Sequence, residues 1–337
     1  MKLLVITQKV DKNDSVLGFF HRWLEEFARH VEQMTVICLE RGEHRLPGVK
    51  VLSLGKEGGR SRLKYVWRFY KYIWQERKNY EAVFVHMNQE YILLAGWLWF
   101  LLGKRIYLWR NYHYGNLWTR LAVAFCARVF CTSAFSYTAR FKKTILMPVG
   151  VETNFFVDKG LIREEKTILS LGRLAADKRL DILLEAVAKV PAITKLDFFG
   201  DELPRGLGYL VKLKELSDRL QISSKVSFNS GIPNDQTVDV YNEHEIFVNL
   251  SPSGMYDKTI FEAGACGCLV ISSSSDWGKI ADQRLYFDGT AVDLAKKIAT
   301  LVALSKEEKA LLVNHCKSLS KQHSLGALGD RLVGLLY

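Results

Sequence analysis

Cysteine is sparse and unpaired in this chain of 337 residues: Cys38, Cys126, Cys131, Cys266, Cys268 and Cys316 form no C-x-x-C clusters. Most lie in apolar strands or helices, where a free thiol packs as a small hydrophobe, so a reduced, cytoplasmic setting is expected. Long hydrophobic runs are missing too. The stretch Tyr91 to Leu102 (YILLAGWLWFLL) is apolar all round, but polar residues bound it short of the ~20 residues that a membrane span needs, and it reads as a buried helix. The opening MKLLVITQKV has too short an apolar core for a signal peptide and reads as a first strand. No G-x-G-x-x-G follows that strand, which removes the best support for a nicotinamide or flavin dehydrogenase. A pair of carboxylates, a Ser-His-Asp order and a metal-type His/Cys cluster are equally missing, so an acid/base hydrolase or a zinc enzyme is unsupported. Acidic residues are in deficit, 36 against 47 Lys and Arg, for a net charge of +11. That balance points to an anionic partner such as nucleic acid, an acidic lipid surface or a nucleotide ligand. No nucleic-acid motif is present.

Apolar residues make up 48% of the chain, enough for the two cores that its length implies. Runs rich in Val, Ile and Leu alternate with amphipathic helical patterns, the signature of doubly wound parallel sheets. The pattern runs twice. Strands are expected at 3–7, 34–39, 49–52, 82–86, 106–109, 129–132 and 145–147, then at 167–171, 195–199, 225–228, 246–250 and 269–272, with 285–287 as a weak extra. The stretch from Pro148 to Glu165 lacks periodicity, contains Gly150 and Gly160, and reads as the linker between two domains, 1–150 and 151–321.

Two stretches of the second half carry chemistry. SPSGMYDKTIFEAGACGCLVISS, from Ser251 to Ser273, reads as a strand end, a loop, a helix starting near Lys258 and Thr259, and a new strand. The loop and first helical turn of such a unit sit at the carboxyl end of the sheet, where free N–H groups and the helix dipole favour a phosphate. In GRLAADKRLDILLEAV, Arg173 and Lys178 flank the entrance to a helix expected near Lys178, and two cations at the positive end of a helix imply an anion between them. In the first half, residues 60–78 carry seven Lys or Arg against Glu76 alone. Leu63, Val66, Trp67, Tyr70, Ile73 and Trp74 form one helical stripe there and read as the core face, while Tyr65, Phe69 and Tyr72 lie off it beside the positive face. Basic plus aromatic is the composition of a helix at an anionic membrane surface.

These motifs resemble those of the retaining glycosyltransferases of family 4. Glu262 with Ala263, Ala265 and Gly267 fits the second half of the family's donor-binding signature, while Gly254 stands where its first glutamate would be. The resemblance implies two Rossmann-like domains facing across a cleft (GT-B), and transfer of a sugar from a UDP- or GDP-linked donor to a lipid-linked or saccharide acceptor. It implies retention at the anomeric carbon, no cofactor and no metal, and no nucleic acid. Gly172, Arg173 and Lys178 then correspond to the holders of the diphosphate, and Glu262 to the acceptor of the ribose hydroxyls. Ile232, after VSFNSG, falls where the backbone meets the nucleobase. His113, in WRNYHYGN, falls where a histidine meets the donor sugar. Gly18 stands in the turn after the first strand, where the family has a glycine loop. His86 has a more structural precedent. Asp257 is the nearest replacement for the absent glutamate, in competition with a plain role as helix N-cap. PVGVETNFF resembles the family's hinge, and the last helix, 322–337 with Leu325, Leu328, Leu332 and Leu335, would cross back onto the first domain. The location expected is cytoplasmic, peripheral at the inner face of the membrane. An epimerase or phosphorylase of the same fold, and a non-catalytic nucleic-acid-binding protein, remain as alternatives.

Overall fold

A computed structural model describes residues 1–14, 16–59, 61–202, 206–254 and 256–336. The chain forms two compact units, Met1–Gly150 with Leu325–Tyr337, and Val151–Ser324.

In the first unit the elements run β1 (Lys2–Val10), α1 (Gly18–His30), β2 (Gln33–Arg41), β3 (Val49–Ser53), α2 (Arg62–Gln75), β4 (Ala82–His86), α3 (Glu90–Leu101), β5 (Arg105–Trp109), α4 (Leu117–Phe125), β6 (Arg128–Cys131) and β7 (Thr144–Leu146). They build a parallel sheet in the order β3-β2-β1-β4-β5-β6-β7. Both faces of the sheet are covered, which is why its strands read as continuous apolar runs. Leu3 and Val5 of β1 point to one side, under α1, while Leu4 and Ile6 point to the other, under α2, α3 and α4.

The second unit runs β8 (Glu164–Leu171), α5 (Leu180–Ala188), β9 (Lys195–Phe199), α6 (Tyr209–Arg219), β10 (Val226–Asn229), α7 (Thr237–Glu243), β11 (His244–Asn249), α8 (Lys258–Ala265), β12 (Leu269–Ser272), α9 (Ser275–Gly278), α10 (Ala291–Ala303) and α11 (Lys306–Gln322). Its sheet is parallel in the order β10-β9-β8-β11-β12. A last helix, α12 (Leu325–Leu336), returns to the first unit. It buries Leu325, Leu328 and Leu332 in the core under α1, sets Gly329 against Glu26 and His30, and receives a 3.0 Å hydrogen bond from the Tyr107 hydroxyl to the Leu336 carbonyl. The return starts at Leu325 rather than at 322, because α11 continues to Gln322.

Four sequence expectations are corrected. Residues 285–287 form no strand: Leu285 ends a 3-10 turn and only Tyr286 bridges to Ser272. The helix expected near Lys178 starts at Leu180, after a 3-10 turn at Ala176–Lys178 and Arg179 in the left-handed region (φ 49°). On α2 the face is rotated from the one predicted: Phe69 and Ile73 are buried, Tyr65, Tyr70 and Tyr72 are half-buried, and Leu63, Trp67 and Trp74 are exposed. Arg60 lies outside the described residues. Finally, α3 is not buried all round; one side holds Ile92, Ala95 and Trp99 against the sheet, while Trp97, Phe100 and Leu101 face solvent. A helix that is apolar on every side gives the sequence no mark of which side will be covered. All six cysteines are buried. Among the described residues no helix is long and apolar enough to cross a membrane.

Candidate functional site

In the second unit β8 and β11 pair directly although β9 and β10 intervene in the chain. Their onward connections therefore run to opposite sides, and a hollow opens beyond their carboxyl ends, the usual place for a ligand in such sheets. Ser170, Gly172, Arg173, Lys178, Asn249 and Ser251 line it. Gly172 (φ +144°) turns the chain out of β8, and its carbonyl lies where a Cβ on Gly200 would sit 1.8 Å away, so glycine at 200 lets the two loops touch. The Gly172 N–H donates to the Phe199 carbonyl at 2.9 Å, and Leu174 to Asp201 at 3.0 Å. Arg173 is half-exposed, with Asp177 at 3.5 Å.

Lys178 is held from the other side of the hollow. Its Nζ donates to Ser251 Oγ at 2.6 Å and lies 2.9 Å from Asp257 Oδ2, which also accepts from Ser251 Oγ at 2.8 Å. The other carboxylate oxygen of Asp257 caps α8, accepting from the Thr259 N–H at 3.3 Å and the Thr259 hydroxyl at 2.9 Å. Asn249 Nδ2 donates to that same hydroxyl at 3.3 Å. Burial pushes the Asp257 carboxyl up, but the Lys178 ammonium and the hydrogen bonds from Ser251 and Thr259 outweigh it and hold the group far below the usual carboxylate range. The positive end of α8, the Lys178 ammonium and the Arg173 guanidinium thus share one end of the sheet, an arrangement that suits an anion.

Glu262 lies one turn into α8 and is buried, so it is not an ordinary solvated helical glutamate. The hydroxyl of the fully buried Tyr241 donates to its Oε2 at 3.3 Å. Burial, with the Glu262 carboxylate beside it, pushes the Tyr241 phenol well above its ordinary value, which keeps it a donor. Ile232 is half-buried in the loop after β10, beside Gly231, whose N–H donates to Asp201 Oδ1 at 3.0 Å. Gly254, in the left-handed region (φ +104°), points its N–H at the buried Asp276 carboxylate, 3.4 Å away. Met255 lies outside the described residues.

Gly172, Arg173, Lys178, Asp257, Lys258 and Thr259 therefore gather around one hollow and the start of α8, while Glu262 stands one turn further in and Ile232 on a neighbouring loop. Gly18 and His113 belong to the first unit. Gly18 is the first residue of α1 rather than part of the preceding turn, with its N–H on the Asp14 carbonyl at 2.9 Å and room for no more than a Cβ 3.0 Å from the Lys12 carbonyl. His113 is exposed in the loop after β5, its ring 4.7 Å from that of Tyr112. His86 is buried, stacked on Phe20 at 3.9 Å with Thr7 Oγ1 3.3 Å from Nδ1, a packing residue. Ser251 as a partner of Lys178, 73 positions away, Tyr241 as a partner of Glu262, 21 away, and Asp276 as a partner of Gly254, 22 away, were not legible from the sequence, because such separations leave no local pattern, while Asn249 reaches Thr259 across the ten-residue step into α8. Among the described residues no three His, Cys, Asp or Glu side chains gather as a metal site requires.

Residues 151–311 match the family model described as "Glycosyl transferases group 1". Over 115 residues, 34% of this chain, the sequence is 33% identical to the D-inositol 3-phosphate glycosyltransferase of Mycolicibacterium smegmatis. It is 31% identical over 121 residues to the alpha-monoglucosyldiacylglycerol synthase of Streptococcus pneumoniae. The matched stretch spans about a quarter of each relative's length, 26% in both. Among solved structures, Anabaena HepE in complex with UDP superposes with a TM-score of 0.81 at 17% identity, over 100% of this chain and 99% of that one. WaaG, a glycosyltransferase involved in lipopolysaccharide biosynthesis, superposes with a TM-score of 0.66 at 13% identity, over 99% of each chain. The chain has the GT-B fold of these neighbours, and the match to the glycosyl transferases group 1 model falls on residues 151–311, which carry the hollow and the capped helix beside it.

Proposed function

We propose that the protein is a retaining, metal-independent glycosyltransferase that moves a sugar from a nucleoside diphosphate sugar to a hydroxyl of a lipid-linked or saccharide acceptor. The observation that carries this reading is the convergence of Arg173, Lys178 and the start of α8 on one hollow at the β8–β11 junction. In the reaction the bond from the anomeric carbon to the diphosphate oxygen breaks, and a bond from the acceptor oxygen forms on the same face of the sugar. The acceptor's proton passes to the departing diphosphate. Charge grows on that diphosphate as the bond breaks, and Arg173, Lys178 and the α8 dipole meet it with fixed positive charge, an electrostatic task of the oxyanion-hole type. These cations fill the role that a divalent metal has in other transferases.

Glu262 is assigned to the ribose hydroxyls, with Tyr241 orienting it, and the backbone at Ile232 to the base. Both oxygens of Asp257 are already engaged, so it is read as the residue that positions Lys178 and caps α8 rather than as a partner of the sugar. The Asp276 carboxylate faces Gly254, which holds the place of the absent glutamate, at 3.4 Å from its N–H. The second unit is the donor domain in this reading, and the first, with Gly18 and His113, the acceptor domain.

A thermal-shift panel of UDP, GDP, ADP and their sugars tests the reading, since a ligand at 100 times its dissociation constant stabilises by ~2.7 kcal/mol. Stabilisation by one diphosphate, with the sugar transferred in α-linked form from an α-linked donor, supports it. No shift with any member, or sugar phosphate released from a glycan and phosphate, overturns it.

A further inference from the structure

The helices α2, α3 and α4 form one layer on the same face of the first unit's sheet, each contributing to one core cluster. The layer is continuous: the Tyr70 hydroxyl of α2 donates to the Leu94 carbonyl of α3 at 2.6 Å, and Gly96 of α3 lies directly against the Phe125 ring of α4. Its outer surface is unusual for a soluble domain. Trp67 and Trp74 of α2, Trp97 and Phe100 of α3, and Leu117 and Trp118 of α4 all face solvent, Phe100 at 71% and Trp118 at 59% exposure. Apolar side chains spread across three adjacent helices mark a surface that meets something else.

Charge decides what that is. Glu90 is the one carboxylate in the sequences of these three helices, against Arg62, Lys64, Arg68, Lys71 and Arg120. Glu76, just beyond α2, is buried and paired with Lys50 at 2.6 Å. Cations also sit on the exposed rings, Lys71 over Trp67 at 5.0 Å and Arg77 over Trp74 at 4.3 Å. A groove of about 450 Å³ beside α2 adds Arg41 to that rim, and its one carboxylate, Glu57, stands against Arg68 and Lys71 in the same lining. A second copy of the chain would bring the same positive charge to the contact and be repelled. An anionic bilayer offers what this surface complements, phosphates for the cations and an apolar depth for the rings, with Trp at the boundary between them.

We propose that the outer face of the α2–α3–α4 layer seats the protein on an anionic bilayer, with α2 supplying the charge and α3 and α4 the inserted apolar side chains. The proposal is independent of the transferase reading, because vesicle binding is measured without donor or acceptor. The experiment is co-sedimentation of the full chain with vesicles of equal parts phosphatidylcholine and phosphatidylglycerol, against phosphatidylcholine alone, with tryptophan emission as a second readout. Wild type should bind the mixed vesicles, with a blue shift, and not the neutral ones. Phe100→Ser with Trp118→Ser, both exposed and so not needed for folding, should weaken binding by about tenfold or more at unchanged charge. Lys64→Glu with Lys71→Glu should weaken it at least as far, each lost cation near such a surface mattering by roughly fivefold. Lys296→Glu in the second unit should change nothing. Wild type that ignores mixed vesicles at low ionic strength overturns the proposal. So does an unchanged Phe100→Ser/Trp118→Ser variant, which would mean simple electrostatic adhesion, and so does a stable dimer that buries these tryptophans in the absence of lipid.

Discussion

Lys178 Nζ lies 2.9 Å from Asp257 Oδ2, so a cation from the loop after β8 is held by the residue that caps α8, 79 positions later in the chain. One carboxylate therefore sets both the place of a cation and the start of the helix whose dipole adds to it. Asp257→Asn keeps the cap, since Asn caps nearly as well as Asp, but loses the charge that holds Lys178. We expect a lower melting temperature, because the carboxylate held below its usual range stabilises the fold through its charge, with weaker nucleoside diphosphate binding and lower turnover. Asp257→Ala should in addition lose ~1 kcal/mol of stability. Calorimetric titration with UDP and GDP decides the matter: wild-type affinity in the Asn variant would show that Lys178 holds its place without it.

Arg173→Ala and Lys178→Ala should each lower turnover by ~100-fold, by analogy with the loss of one oxyanion donor. Arg173 is half-exposed with one distant ion pair, so its variant should melt like wild type. A chelator should leave the wild-type rate unchanged. Near-normal rates in both variants, or strong inhibition by the chelator, would remove the electrostatic account of leaving-group departure.

Glu262→Gln preserves shape and packing but offers a weaker acceptor to a ribose. Donor KM should rise by roughly tenfold while the melting temperature changes little, charged hydrogen bonds contributing ~1.5–3 kcal/mol. Tyr241→Phe leaves one Glu262 oxygen without its 3.3 Å donor and should shift KM in the same direction by less. A Tyr241→Phe protein that is merely less stable, with unchanged KM, would make the tyrosine a packing residue.

Acid should weaken the second unit through His323, which stacks on Phe261 at 4.1 Å and whose ring is pushed down to about 4 by burial. A depressed histidine favours the fold fully above its unfolded value near 6.5. That contribution is lost as pH falls from there through 4, up to ~3 kcal/mol in total. Asp197, raised by burial but lowered further by His244 and Lys195, adds a loss at still lower pH, as its carboxylate protonates. Melting curves from pH 7 to pH 4 should fall steadily in wild type and less steeply in His323→Phe, which keeps the stack; parallel curves would refute the assignment.

Much of the molecule was legible in the sequence because its information is local. Ala82–His86 and Leu269–Ser272 form strands at the residues read from their apolar runs, since strands buried on both faces need Val, Ile and Leu with little interruption, and Lys195–Phe199 does so although Asp197 interrupts its run. The capped start of α8 was legible for the same reason: Asp257 and the helix it caps are neighbours in the chain.

What only the tertiary structure decided is which surfaces meet and which do not. Residues 63–74 and 91–102 present apolar side chains on more than one side, and the sequence cannot say which side the sheet will cover. The fold covers Phe69, Ile73 and Trp99, and leaves Trp67, Trp74 and Phe100 in solvent. Likewise Asp257 could be read locally only as a cap or a sugar partner. Its hold on Lys178 and Ser251 exists because β8 and β11, distant in the chain, pair side by side and bring their following loops within hydrogen-bond reach, a proximity set by sheet order rather than by any neighbouring residue.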